Sequence, residues 1–149
     1  MNRLVGLAAF GALMLGATPV IAQRVPLETA ADAVTSDLAL CSAFYEAELT
    51  CFADALDISS RNNLETERSL ANTYGVLLGK RAGLSSRELT ARFEIAKRSV
   101  GDIIGHSCDG LPLISDQYTK TCTSLVQNPV GRFNDVSSGR VTNGLTQDQ

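Results

Sequence analysis

The hydrophobic pattern of the chain predicts helices and no strands. No glycine or proline interrupts residues 28–56, where apolar residues recur every three or four positions. That spacing places them on one face of a first helix. The residues of this stripe are Val34, Leu38, Cys41, Tyr45, Leu49, Phe52 and Leu56. A break at residues 35–37, Thr-Ser-Asp, is an alternative, because these residue types also cap helices.

A second helix is predicted at residues 64–81, after a polar turn at residues 57–63. Gly83 follows its expected end. Gly75 and Gly79 lie inside it, where glycine is unfavourable unless another helix approaches closely or the bundle leaves space for a ligand.

Two more helices complete the predicted domain. Ser85 and Glu88 have the spacing of a capping box, which indicates the start of a third helix that ends at Gly105. A loop at residues 106–112 leads to a fourth helix at residues 113–127.

The two ends of the chain differ from this periodic region. Residues 1–22 combine Arg3, an apolar run and the small-residue site Val-Ile-Ala, which is typical of a secretory signal peptide cleaved after Ala22. An uncleaved membrane anchor is the alternative, since about 20 apolar residues can span a bilayer. Residues 129–149 are rich in Gly, Ser, Thr and Asn and predict a disordered tail. The helical domain is therefore expected at residues 23–128.

Four cysteines in an exported chain indicate two disulfides. Cys41 and Cys51 are ten residues apart, which on one helix separates their Cα atoms by about 15 Å, whereas a disulfide needs less than about 7 Å. In an up-down bundle the first and fourth helices are antiparallel. We therefore expect an all-α, four-helix up-down bundle with the pairs Cys41–Cys122 and Cys51–Cys108, in a periplasmic or secreted protein.

Charge is distributed unevenly along the chain. The formal net charge is −3, which argues against nucleic acid as a partner. Residues 23–60 contain seven acidic residues and one basic residue, whereas residues 61–98 contain eight basic and four acidic residues. The basic segment either complements the acidic first helix or presents a surface to an acidic partner. The candidate partner-binding residues are Lys80, Arg81, Arg87, Arg92, Lys97 and Arg98.

Residues that carry catalytic chemistry are scarce. The sequence has no C-x-x-C, H-E-x-x-H or G-x-S-x-G motif and no glycine-rich phosphate loop. His106 is the only histidine, and with Cys108 it offers the one close pair that a zinc site could use. Glu46 and Glu48 are two residues apart and point to different faces of a helix, so they are not expected to form a pair of catalytic carboxylates. We expect no catalytic residue, no metal and no cofactor.

These observations favour a non-enzymatic binding protein. We expect an exported helical module that binds a protein partner in the cell envelope or outside, as an inhibitor, an immunity protein or an adaptor does, with no membrane contact after signal cleavage. A carrier of a small molecule or lipid in a cavity of the bundle is the alternative. Phe133, the one aromatic residue of the predicted tail, is either idle or a docking anchor.

Overall fold

A computed structural model describes residues 25–105 and 107–140 of the chain. Five helices occupy these ranges, and none of the residues in them forms a strand. The helices are α1 Leu27–Cys51, α2 Ile58–Arg81, α3 Ser86–Ile104, α4 Leu111–Gln127 and α5 Pro129–Ser137. None of these helices is long and apolar enough to cross a bilayer. The all-α class is confirmed, whereas the predicted signal peptide at residues 1–22 lies outside the described residues.

Helix α1 lies at the centre of the fold and contacts each of the other four helices. Every residue from 37 to 45 is buried, so α1 is covered on several sides and not along one stripe. Small side chains such as Ala30, Ala39 and Ala43 contribute to this burial and let neighbouring helices approach closely. A helix that its neighbours cover on several sides forms the core of a domain. The predicted four-helix up-down bundle is not confirmed, because the described residues form five helices, with α1 in the core and in contact with the other four.

Helix α1 continues without a break through residues 35–37. The Thr35 hydroxyl donates to the Ala31 carbonyl at 2.7 Å, which satisfies the side chain within the helix. Asp37 accepts from Arg132 of α5 and caps no helix terminus. The alternative of a break in the first helix is therefore not seen.

Helix α2 begins before the position that its hydrophobic pattern indicates. Asp57 is its N-cap, and the Asp57 carboxylate accepts from the Ser60 backbone N–H at 2.7 Å. The polar residues 58–63 predict a turn, but in the structure they form the first turns of α2. An N-cap side chain stabilises the start of a helix even where that start is polar. The Arg61 guanidinium also donates to the Ala53 carbonyl and so ties the start of α2 to the end of α1.

The predicted boundaries of α3 are confirmed. Ser85 is the N-cap, its Oγ accepts from the Glu88 backbone N–H at 3.3 Å, and the Glu88 carboxylate accepts from the Ser85 backbone N–H at 2.7 Å. Gly105 ends the helix in the left-handed region, with φ 70°. Only glycine adopts that conformation without a steric penalty.

The predicted disordered tail is wrong for residues 129–137, which form α5. Asn128 caps this helix by accepting from the Gly131 backbone N–H at 2.9 Å, and Pro129 occupies its first turn. Val136 is buried against the core. The Asn-Pro pair that ends α4 therefore also starts α5. Residues 141–149 lie outside the described part of the chain.

Both predicted disulfides are present in the structure. Cys41 pairs with Cys122 at a Cα separation of 5.3 Å, and Cys51 pairs with Cys108 at 5.8 Å. The earlier cysteine of α1 thus bonds to the later partner, as the antiparallel arrangement of α1 and α4 requires. These pairs indicate an oxidising environment outside the cytoplasm.

The two glycines inside α2 permit close packing. A Cβ atom at Gly75 would lie 2.9 Å from Cζ of Phe93, and one at Gly79 would lie 2.3 Å from Cδ2 of Leu89. Side chains of α3 therefore fill the space that a side chain at either position would take. The carrier alternative drew on these glycines for a cavity, and at both positions the space is occupied.

Candidate functional site

An open groove of about 520 Å³ lies on the surface between α2 and α3. The two helices pack mainly on α1, and their backbones come close to each other at few positions, so a cleft stays open above α1 where side chains of α3 reach α2. Val76, Leu89 and Phe93 give the groove an apolar lining, and Ser42 of α1 contributes a polar one. We take this groove as the candidate site because it gathers charged, polar and apolar side chains from three helices.

The α2 wall of the groove follows a regular repeat. Arg68, Asn72, Val76 and Lys80 all line it and succeed one another at intervals of four residues. Side chains at that spacing lie on neighbouring turns, and because each step turns about 40° round the helix, the row winds along α2. The cations Arg68 and Lys80 are therefore about 18 Å apart along the axis, one towards each end of the groove.

The groove contains both paired and unpaired charges. Lys97 Nζ lies 3.1 Å from the Glu46 carboxylate, so this cation is already compensated by α1. Within the described ranges, Arg68 and Lys80 take part in no ion pair. Glu94, an exposed residue of α3, also lines the groove. The two uncompensated cations give the ends of the groove a positive character.

The structure divides the six predicted partner-binding residues among several places. Arg92 binds side chains of α1, since its guanidinium lies 2.8 Å from the Asp32 carboxylate and donates to the Ser36 hydroxyl at 2.6 Å. Lys97 is likewise paired with α1. These contacts show that part of the basic segment complements the acidic first helix, which is one of the two interpretations of the charge pattern.

The other four predicted residues are exposed. Lys80 lines the candidate groove, whereas Arg81 lines a separate apolar groove of about 440 Å³ between α1, α2 and α5. Arg87 lies on the surface beside the α3 N-terminus, and the Arg98 side chain donates to the Glu94 carbonyl of its own helix at 3.4 Å. Phe133 is half-buried in the apolar groove, where it packs against the core as part of α5.

Arg68 was missed by the sequence analysis. It lies on α2, away from the basic residues of α3, and a count of charges over residues 61–98 does not distinguish it from the other basic residues. The signal that could have found it is the four-residue spacing that joins Arg68 to Lys80 through Asn72 and Val76 along α2.

A second polar cluster lies where α1, α2 and α4 meet. Burial raises the pKa of Glu48, a tendency that the Ser115 hydroxyl opposes by donating at 3.5 Å and the Glu67 charge reinforces. Burial also raises the pKa of Tyr45, whose fully buried hydroxyl lies near Thr123 and Glu67 but forms no hydrogen bond of good geometry within the described residues. Glu46 and Glu48 face different neighbours, Lys97 and Ser115, and so do not form a carboxylate pair.

The described residues contain no metal cluster and no free cysteine. No group of three or more His, Cys, Asp or Glu side chains there could hold a metal ion, and all four cysteines are in disulfides. His106, the candidate zinc ligand, lies outside the described residues. What the groove offers is non-covalent recognition, by the cations Arg68 and Lys80, the Glu94 carboxylate, neutral hydrogen-bonding groups and an apolar floor. Comparison with protein-family models, with curated proteins and with solved structures finds no match for this chain.

Proposed function

We propose that this protein is an exported, non-enzymatic module that binds a protein partner, and that the α2–α3 groove receives an acidic helix of that partner. The two disulfides support the oxidising location, and the pattern of residues 1–22 supports export to the periplasm or beyond. The disulfides also join α1 to α4 and to the α3–α4 loop. They therefore fix the position of α1, which forms the base of the groove.

The observation that carries the proposal is the pair of uncompensated cations, Arg68 and Lys80, at the two ends of a groove with an apolar floor. Charge complementarity favours a partner with carboxylates at both ends of a segment and an apolar residue between them. A helix of about twelve residues spans the 18 Å between the two cations. An amphipathic helix that lies in a groove is an established way for helical modules to recognise partners.

The floor of the groove suits this occupant. Val76 and Phe93 are partly exposed and can receive an apolar side chain, while Asn72 and Thr90 offer hydrogen bonds along the walls. A buried apolar centre with a polar and charged rim is the usual arrangement of protein interfaces. The glycine positions that motivated a carrier function do not support it, because Phe93 and Leu89 occupy the space beside them.

A peptide-binding experiment tests this proposal. The probe is a labelled, helix-stabilised acidic peptide. It carries a pair of glutamates near each end, with the two pairs twelve residues apart, and leucines on the same face between the pairs. The control peptide has lysine in place of every glutamate. Fluorescence anisotropy measures the binding of both peptides to the mature protein. We expect the acidic peptide to bind, with an affinity that falls as salt is added, and the lysine peptide not to bind.

Matched variants locate the binding surface. Arg68→Glu/Lys80→Glu should weaken the acidic peptide by at least about tenfold and allow the lysine peptide to bind. Arg87→Glu changes an exposed arginine outside the groove and should leave both results unchanged apart from a small non-specific effect. Equal binding of the acidic peptide to the wild type and the double variant would contradict the proposed site.

A further inference from the structure

The two disulfides differ in their access to solvent. Cys41 and Cys122 are both 0% exposed, whereas Cys51 and Cys108 are partly exposed at one end of the molecule. A groove of about 270 Å³, which adjoins the candidate site at the Glu46–Lys97 pair, opens onto both cysteines of the second pair. Small and apolar side chains line this groove, among them Ala43, Ala47, Val100 and Ile104. A peptide segment that carries a thiol therefore has a path to one disulfide and not to the other.

The surroundings of Cys108 allow this disulfide to open locally. The loop that contains it keeps two backbone hydrogen bonds of its own, from Gly110 N–H to the Ile104 carbonyl at 3.0 Å and from Leu111 N–H to the Cys108 carbonyl at 3.1 Å. Helix α4 stays bonded to α1 through the buried pair. Cys108 also has φ 62°, a left-handed conformation that is unfavourable for a residue with a Cβ atom, and it gains freedom when the bond opens.

We propose that the Cys51–Cys108 disulfide is a site of reversible thiol–disulfide exchange with an exported dithiol protein of the Cys-X-X-Cys class. Partly exposed disulfides are the labile ones, and buried structural disulfides resist reduction. The exchange opens the tether between the end of α1 and the α3–α4 loop and leaves the rest of the fold joined.

The exchange proceeds in two balanced steps. The thiolate of the dithiol protein attacks one sulfur of the bond, forms a mixed disulfide and releases the other cysteine of this chain as a thiolate, which takes up a proton. The second thiol of the dithiol protein then loses its proton and attacks the dithiol protein's own sulfur in the mixed disulfide. This releases the attacked cysteine of this chain as a thiolate, which takes up a proton. This chain ends with two thiols, having gained two electrons and two protons, and the dithiol protein ends with a disulfide.

The helix termini select the sulfur that is attacked. Cys51 is the last residue of α1, where the helix dipole disfavours a negative charge. Cys108 precedes the start of α4 by three residues, and a helix N-terminus favours a thiolate. Cys108 is therefore the better leaving group, so the incoming thiolate attacks Sγ of Cys51 and the mixed disulfide forms there.

A trapping experiment tests the exchange. The probe is a thioredoxin-type protein whose second active-site cysteine is replaced by serine, so that the mixed disulfide persists. It is incubated with the oxidised mature protein, and non-reducing peptide mapping identifies the cysteine that is joined. We expect a mixed disulfide at Cys51, with the Cys41–Cys122 bond intact. A mixed disulfide at Cys108 would overturn the assignment of the attacked sulfur.

Two further measurements separate exchange from unfolding. With the intact dithiol protein and a thiol-specific mass tag, Cys51 and Cys108 should be labelled at least about tenfold faster than the buried pair, while circular dichroism keeps its helical signal. The variant Cys51→Ser/Cys108→Ser should form no mixed disulfide. Simultaneous opening of both bonds, or no trapping by a probe that reacts with a standard disulfide substrate, would overturn the proposal.

Discussion

Arg132 of α5 and Asp37 of α1 form an ion pair, with 3.0 Å between Nη2 and Oδ2. The Asp37 side chain is only 2% exposed, whereas the Arg132 side chain is 24% exposed. A carboxylate buried in a core helix needs such a partner, because an uncompensated buried charge is costly. The pair therefore fixes α5 against the centre of the fold.

Arg132→Ala should lower the free energy of unfolding by about 2 to 3 kcal/mol, which is less than for a fully buried pair because solvent reaches the arginine. Urea unfolding followed by circular dichroism measures the loss. The control is Arg140→Ala, which removes the exposed pair with Asp135 at 2.9 Å and should cost less than about 1 kcal/mol. Equal losses in the two variants would contradict a special role for the buried pair.

This ion pair also explains why α5 could not be predicted from the sequence. Asn128 and Pro129 end α4 and begin α5. The local sequence pattern predicts the end of α4 but not the start of α5. The signal that distinguishes α5 from a disordered tail is its contact with Asp37, which lies 95 residues before Arg132. By contrast, the disulfide pairing was predictable, because it follows from the length of one helix and the antiparallel direction of another.

The candidate groove was predictable only in part. Lys80 and Lys97 were among the basic residues singled out, and both line it. A one-dimensional charge count could not separate cations that α1 neutralises, such as Arg92 and Lys97, from cations that remain available, because the count does not tell which carboxylates lie opposite. Arg68 could be identified only from its four-residue spacing with the other α2 residues that line the groove, and not from a count of charges.

Glycine substitutions test the packing of the α3–α4 loop. A Cβ atom at Gly110 would lie 2.5 Å from the Ile103 carbonyl oxygen and 2.8 Å from Ile104 Cα, and backbone atoms cannot move away cheaply. Gly110→Ala should therefore destabilise the fold by about 1 to 3 kcal/mol. Gly101→Ala in α3 meets no atom within 4 Å and should stabilise it by up to about 1 kcal/mol. Urea unfolding of both variants gives the comparison, and effects of the same sign would contradict this packing.

The polar cluster at Glu48 predicts a stability effect that depends on pH. Burial raises the pKa of Glu48 above its ordinary value of 4.5 in the folded state, and Glu67 adds to this. Ionised Glu48 therefore lowers the stability of the fold at neutral pH, and this penalty disappears as the pH falls through the raised pKa. Glu48→Gln should raise the melting temperature at pH 7, and its advantage over the wild type should shrink towards pH 4.

Glu46→Gln is the control for this prediction. It lies two residues away on α1 but faces Lys97, so the substitution removes an ion pair and should not stabilise the fold at neutral pH. Thermal unfolding at several pH values distinguishes the two variants. A stabilisation by Glu48→Gln that stays constant from pH 7 to pH 4 would show that ionisation of Glu48 is not its cause.

The N-cap of α2 predicts the opposite pH dependence. The Ser60 backbone N–H that donates to the Asp57 carboxylate lowers the pKa of Asp57. Ionised Asp57 thus stabilises the folded state above its ordinary pKa, and this contribution is lost as the pH falls through the lowered value. Asp57→Ala should lower the melting temperature at pH 7, and its deficit should narrow in acid. Asp57→Asn keeps an acceptor for the Ser60 N–H and should lose less at pH 7. An Asp57→Ala deficit that is the same at neutral and acid pH would mean that the charge at this cap does not contribute.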